Sequence, residues 1–225
     1  MSRVHFIVLA GIALLGIGYV FMHRQELGLT AMHPVSADNR QDSKEPTGPT
    51  AHHEYIVWQK VDRSAEGFRV EMPIDVKQIQ IPAYNETGGT DLVNMIFSNP
   101  DAETTFSVAW ADNPPVARVN KRSPGRTLQM AQEGAVARTQ TTLTDEAAST
   151  TQGYPGKEFA ARNPGGGVMS SRLVYAGSRL YMLNAVFPSV EARQDRDVNR
   201  FFNSFSVISS SEGGKSASAG PAKAN

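Results

Sequence analysis

The stretch VMSSRLVYAGSRLYMLNAVF, residues 168–187, sets two strand-like runs, Val168 to Ala176 and Arg179 to Phe187, on either side of Ala176-Gly177-Ser178. Apolar runs of this length, rich in β-branched and aromatic residues and broken by small turn residues, read as an antiparallel hairpin. If the hairpin turns at Gly177-Ser178, Tyr175 and Tyr181 come close to opposite one another and form an aromatic cross-strand pair. With Arg172 and Arg179 beside them, these four residues are the candidate binding set, suited to an anionic or peptide partner. The same four side chains also describe an ordinary half-buried sheet face.

Upstream, the runs Thr141 to Ala148 and Lys157 to Arg162 continue the meander, punctuated by GYPG (153–156) and NPGGG (163–167). Tyr154-Pro155-Gly156 fits a type II turn, with proline at its second position and glycine supplying φ > 0 at its third. Ser123-Pro124 offers an N-cap and a first-turn proline for a helix through GRTLQMAQEGAVAR, whose Leu128, Ala131 and Ala135 share a face. Five period-two runs precede it: Glu54 to Val61, Phe68 to Met72, Val76 to Ile81, LVNMIFS and TTFSVAWA. Read in order they make one antiparallel sheet, with Asn99-Pro100-Asp101-Ala102 as a hairpin turn. At the other end Val198, Phe201, Phe202 and Phe205 recur at helical spacing, with Ser189 as cap and Arg193, Asp195, Arg196, Asp197 and Arg200 on the opposite face. The fold class is α+β, an antiparallel sheet flanked by helices.

This domain occupies 54–208. Before it, Val4 to Met22 is nearly all apolar, and at about 1.5 Å per residue it just spans a ~30 Å hydrocarbon core. His23, Arg24, Gln25 and Glu26 follow where a cleavage site would need small residues, which favours an uncleaved anchor over a cleaved signal peptide. Residues 1–23 are the transmembrane anchor and 24–53, with Pro34, Pro46, Gly48 and Pro49, a flexible linker. Residues 209–225 lack large apolar side chains and form a disordered tail. The expectation is a single-pass bacterial inner-membrane protein with its domain in the periplasm; a cleaved, free periplasmic protein is the alternative.

The order of motifs EGFRVEMP, TTFSVAWADNP, the small-residue helix, GYPGKEF, RLVYAGSRLYMLNAVFP and RFFNSFSV resembles a set of uncharacterised bacterial domains of the PsbP-like fold. In those domains G-F-x-V-x-x-P, G-x-P-G-x-E, R-x-x-x-x-x-x-R-x-Y and F-F-x-S-F recur in this sequence. The resemblance covers about residues 54–208. It implies an antiparallel sheet with helices on its faces and an accessory or binding role rather than catalysis.

Composition narrows the chemistry further. With 22 basic and 22 acidic residues and no basic run beyond Lys121-Arg122, the chain lacks the concentrated positive charge that nucleic acid requires. There is no cysteine, and His5, His23, His33, His52 and His53 all precede the domain, so the commonest general base and strongest nucleophile are absent from it. His52-His53 has no accompanying ligand set, and no metal or cofactor is expected. GYPGKE is not a phosphate loop: Thr151 stands at the first glycine position and Glu158 where the hydroxyl should be. Asp145 and Glu146, neighbours on a strand, point to opposite faces and do not converge on a substrate. The reading is a membrane-tethered exported domain acting through a protein or envelope partner. Its rival is an exported enzyme using carboxylate or Lys/Tyr chemistry, Lys157, Glu158 and Arg172 included, near the 153–167 turns.

Overall fold

The structure, a computed structural model, describes residues 56–84, 90–112, 114 and 123–208. The expected anchor, linker and tail, Lys121-Arg122 and all five histidines lie outside the described residues. Among the described residues no helix is long and apolar enough to cross a membrane.

Among the described residues ten strands divide between two antiparallel sheets. β1 (Trp58–Arg63), β2 (Phe68–Pro73) and β10 (Ser206–Val207) form a small sheet in the order β1-β2-β10. β3 (Lys77–Tyr84), β4 (Thr90–Ser98), β5 (Thr105–Asp112), β6 (Thr142–Thr151), β7 (Tyr154–Arg162), β8 (Val168–Ala176) and β9 (Arg179–Phe187) form a large one, ordered β3-β4-β5-β9-β8-β7-β6. The five leading runs therefore do not share a sheet. Pro73 ends β2 and Asp75 takes a positive φ of 64°, so the chain leaves the small sheet and starts β3 at the edge of the large one.

Helix α1 (Pro124–Thr139) carries the chain from β5 to the far edge, so the second meander, β6 to β9, runs back until β9 pairs with β5. Helix α2 (Asp195–Ser204) follows β9. The two helices cover opposite faces of the large sheet. On one, Leu128, Ala131 and Ala135 of α1 pack on Phe159, Leu173, Tyr175, Leu180 and Met182. On the other, Phe68, Val70 and Met72 of β2 and Val198, Phe201 and Phe202 of α2 meet Phe106, Trp110, Val174, Tyr181 and Leu183. Coverage from both sides explains why β9 is buried along nearly its whole length, with no polar alternation.

Two local expectations change. GYPG is not the turn: Gln152 (φ 51°) and Gly153 (φ 83°) form a two-residue hairpin loop of type I′ character, and Tyr154, Pro155 and Gly156 already belong to β7. The primed turn matches the twist of the flanking strands, which a type II turn does not. Gly156 serves packing instead, since a Cβ there would lie 2.6 Å from the Leu173 carbonyl and 2.9 Å from Ser149 Oγ. Ser189 does not cap α2; its hydroxyl accepts from Ala192 N–H at 3.2 Å, and the helix begins later, behind Gln194. This later start buries Asp197, expected on the charged face, beside Val198. Ser123 does hold the N-cap position of α1, with Pro124 as first residue, but its side chain makes no capping hydrogen bond.

Replacing Gly156 with alanine forces backbone or Ser149 to move, and unfolding free energy is expected to fall by about 1–3 kcal/mol. Gly165→Ala, where the nearest atom is Asn163 Oδ1 at 3.4 Å, is expected to stay within about 0.5 kcal/mol of the parent. Urea unfolding of the two variants checks both values.

Candidate functional site

The hairpin register runs Ala176↔Arg179, Tyr175↔Leu180, Val174↔Tyr181 and Arg172↔Leu183. Tyr175 and Tyr181 are thus offset by one residue, and because side chains alternate they lie on opposite faces of the sheet. The expected tyrosine pair does not form. Its cause is the two-residue loop Gly177-Ser178, which makes Ala176 and Arg179 the first facing pair. Tyr175 packs under α1, 3% exposed, and its hydroxyl has no hydrogen-bond partner among the described residues. Arg172, Arg179 and Tyr181 share the face that carries α2 and the small sheet.

Tyr181 and Arg179 tie the large sheet to the β1–β2 turn. Gly67 closes that turn in the left-handed region at φ 77°, which turns the Glu66 and Gly67 carbonyls toward the large sheet. The Tyr181 hydroxyl lies 3.1 Å from both carbonyls and donates its single proton there. Arg179 donates Nη1 to the Glu66 carbonyl, and Nε and Nη2 to the two carboxylate oxygens of Asp112 at 2.6 and 2.7 Å. A Cβ on Gly67 would come within 3.1 Å of Tyr181 Oη and 3.3 Å of Arg179 Nη1, so the latch also needs glycine for space. The Arg179 hydrogen bonds hold the Asp112 carboxyl below its ordinary range, and the same bonds push the guanidinium up. Burial raises the Tyr181 phenol. All three groups therefore keep their charge states through neutral pH.

Arg172 is a second strut. Its Nε donates to Glu158 Oε1 at 2.9 Å, its Nη1 to the Phe202 carbonyl at 2.7 Å, and its guanidinium lies 5.0 Å from the Phe202 ring centre. A cation at the last turn of α2 gives the Phe202 carbonyl a second donor beside the Phe205 N–H, which reaches it at 3.4 Å. Lys157, next to Glu158 along β7, points the other way: Nζ reaches Glu146 Oε2 at 2.8 Å, Gln132 Oε1 at 2.6 Å and Gln129 Oε1. These bonds from Lys157 and Gln132 hold the Glu146 carboxyl below its ordinary range. Asp145 and Glu146 do face apart, as their adjacency requires.

The large sheet thus separates Lys157 from Glu158 and Arg172. Among the described residues no group of three or more His, Cys, Asp or Glu is placed to hold a metal ion. Asp112 and the Glu66 carbonyl escaped the sequence reading because they meet Arg179 from 67 and 113 residues away. The glycine of EGF was the one local signal of the latch.

No protein-family model matches the chain, and no curated protein matches it. Among solved structures it is similar to the cyanobacterial PsbP, CyanoP, of Synechocystis, with 12% identity, 73% of this chain and 100% of that one covered, and a TM-score of 0.46. A protein of unknown function from Pseudomonas aeruginosa follows with 11% identity, 62% and 86% covered, and a TM-score of 0.31. LpqN of Mycobacterium tuberculosis, described as involved in cell envelope biogenesis, gives 15% identity, 69% and 93% covered, and a TM-score of 0.37. At these identities and scores the likenesses decide neither fold nor function.

Arg179→Met removes the ion pair and the bond to the Glu66 carbonyl and is expected to lower unfolding free energy by about 1–2 kcal/mol at neutral pH. Asp112 has its pKa depressed on folding, so its share of that stability is present above the unfolded carboxyl value and lost as pH falls through the folded one. The gap between parent and Arg179→Met should therefore narrow between about pH 5 and pH 3. A gap that urea melts find unchanged across this range would show that Asp112 is not the group the guanidinium holds.

Proposed function

We propose that the chain is a membrane-tethered, exported domain of PsbP-like kind that works by binding a protein or envelope partner and carries out no catalysis. The observation that carries this reading is the use of the domain's reactive-looking side chains as internal struts. Lys157, Glu158, Arg172, Arg179 and Tyr181 are each engaged with named partners of the same chain. For the rival enzyme, a site that gathers Lys157 with Glu158 or Arg172 is disfavoured, because β7 sends Lys157 to the opposite face. Residues 54–208 also contain neither histidine nor cysteine.

The order of the four motifs supports the PsbP-like assignment, and each motif has a structural duty. Gly67 of EGF makes the latch turn, Gly156 of GYPG admits the Leu173 backbone, Arg179 and Tyr181 close the latch, and Phe201, Phe202 and Phe205 dock α2. The tether rests on Val4 to Met22, whose length suits one membrane crossing.

Three measurements test the reading. The intact mass of the mature protein should include residues 1–23; loss of the leading segment means a free periplasmic protein. Protease added to spheroplasts should digest the domain, and protection would reverse the orientation. Crosslinking in native membranes should give discrete adducts with other envelope components, and their absence under several growth conditions would overturn the binding role.

A further inference from the structure

Among the described residues β6 is one margin of the large sheet. It pairs with β7 on one side and with no described strand on the other, and all its residues from Thr142 to Ala148 are exposed. Helix α1 packs mainly over β7 and β8 and reaches β6 through the Gln132 to Glu146 hydrogen bond. An open strand edge is a template for another strand, and proteins usually blunt it with lysine, proline or a bulge. The opposite edge, β3, carries Lys77 and Pro82. In β6, TLTDEAASTT, lysine and proline are missing, and the only bulge lies between Leu143 and Asp145. From Asp145 to Thr151 the strand is regular.

We propose that β6 pairs with itself: two copies of the chain join antiparallel along 145–151 about a two-fold axis through Ala148. The ladder fixes this register. The two-residue loop makes Thr151↔Tyr154 a hydrogen-bonded pair, so Thr151, Ser149 and Ala147 spend their backbone groups on β7. Thr150, Ala148 and Glu146 then turn their N–H and C=O groups outward. Facing residues in an antiparallel pair have side chains on the same side, so a two-fold pair must centre on one residue facing its own copy. Centring on Ala148 puts Glu146 against the partner's Thr150 and Ala148 against the partner's Ala148, which engages every outward group of the regular stretch.

Other centres engage fewer of these groups or are repelled. An axis at Ala147 leaves Thr150 facing the partner's Thr144 in the bulge, and an axis at Asp145 or Glu146 sets like charges opposite each other. With the axis at Ala148, Asp145 faces the partner's Thr151, and Glu146 remains bound to Lys157 of its own chain. Small side chains at the centre, Ala147, Ala148 and Ser149, let the two backbones approach. This pairing does not depend on which other partner the domain takes.

The test uses the full chain in membranes and in detergent. Ala148→Cys supplies the only thiol, and across a hydrogen-bonded pair its Cα should lie about 5.5 Å from its copy, within disulfide reach. Mild oxidation should convert most Ala148→Cys chains to a covalent dimer. Leu92→Cys, exposed on β4, should stay monomeric. Ala148→Pro removes only an outward N–H, so the β6–β7 ladder and the unfolding midpoint should be kept while the dimer disappears in light scattering. A monomeric parent with no Ala148→Cys disulfide overturns the proposal. So does a folded Ala148→Pro dimer, or equal crosslinking at Leu92, since either places the contact elsewhere.

Discussion

The pairing of β5 with β9, from Thr105↔Val186 to Asp112↔Arg179, joins two meanders that are far apart in sequence, and the rest of the domain is arranged around it. Once β9 lies beside β5, the strands β8, β7 and β6 have only one direction in which to extend. The joined sheet then has two apolar faces at its centre, and neither can remain open to water. Helix α1 covers one, while α2 and the small sheet share the other. The small sheet is held by Phe68, Val70 and Met72 packed on β5 and β9, and by the latch of Arg179 and Tyr181 on the Gly67 turn.

Side-chain alternation across this sheet governs what the polar residues can do. A single step along β7, from Lys157 to Glu158, moves a charge from the α1 side to the α2 side. Residues that look clustered in sequence are thereby dispersed, and each finds a structural partner on its own face. Arg172 closes the end of α2, Lys157 gathers the glutamines of α1, and Arg179 reaches back to the first hairpin. Partly buried charges need such partners, because an unpaired one is strongly disfavoured away from water. The same rule makes a cluster of charges in sequence a poor guide to a site when the segment is a strand.

Period and punctuation made most of the elements legible. The hairpin at 168–187, the helix behind Ser123-Pro124 and the phenylalanine stripe of α2 stand where their patterns place them. Several misread features were set by the length and placement of a turn, which fix strand register. Gly177-Ser178 forms the loop where it was expected, but as a two-residue loop it sets Tyr175 against Leu180 and Val174 against Tyr181, which sends the two tyrosines to different faces. Likewise Gln152-Gly153 takes the turn that Pro155-Gly156 advertises, since a two-residue primed loop fits the twist of β6 and β7. The split into two sheets was illegible for a different reason. Local alternation specifies a strand and its buried side, but the choice between joining a neighbour and stacking on it is made by distant residues such as Phe106 and Tyr181.

β6 shows the same logic at the margin of the sheet. Its side chains bury little, so the strand is held by the ladder to β7 and by one polar knot, Glu146 to Lys157 and Gln132. That knot lies on the α1 face and leaves the outward backbone of Glu146 free. The bulge at Leu143/Asp145 bends only the beginning of the strand, and the type I′ loop fixes the bonding parity of the remainder. Among the described residues the strand is therefore fixed in place without being covered. A covered edge would need apolar side chains or a capping segment, and TLTDEAASTT supplies only one large apolar residue, Leu143, ahead of the bulge. What the sequence does supply from Asp145 to Thr151 is short side chains around Ala148 and a regular ladder, the two properties that close approach of another backbone requires.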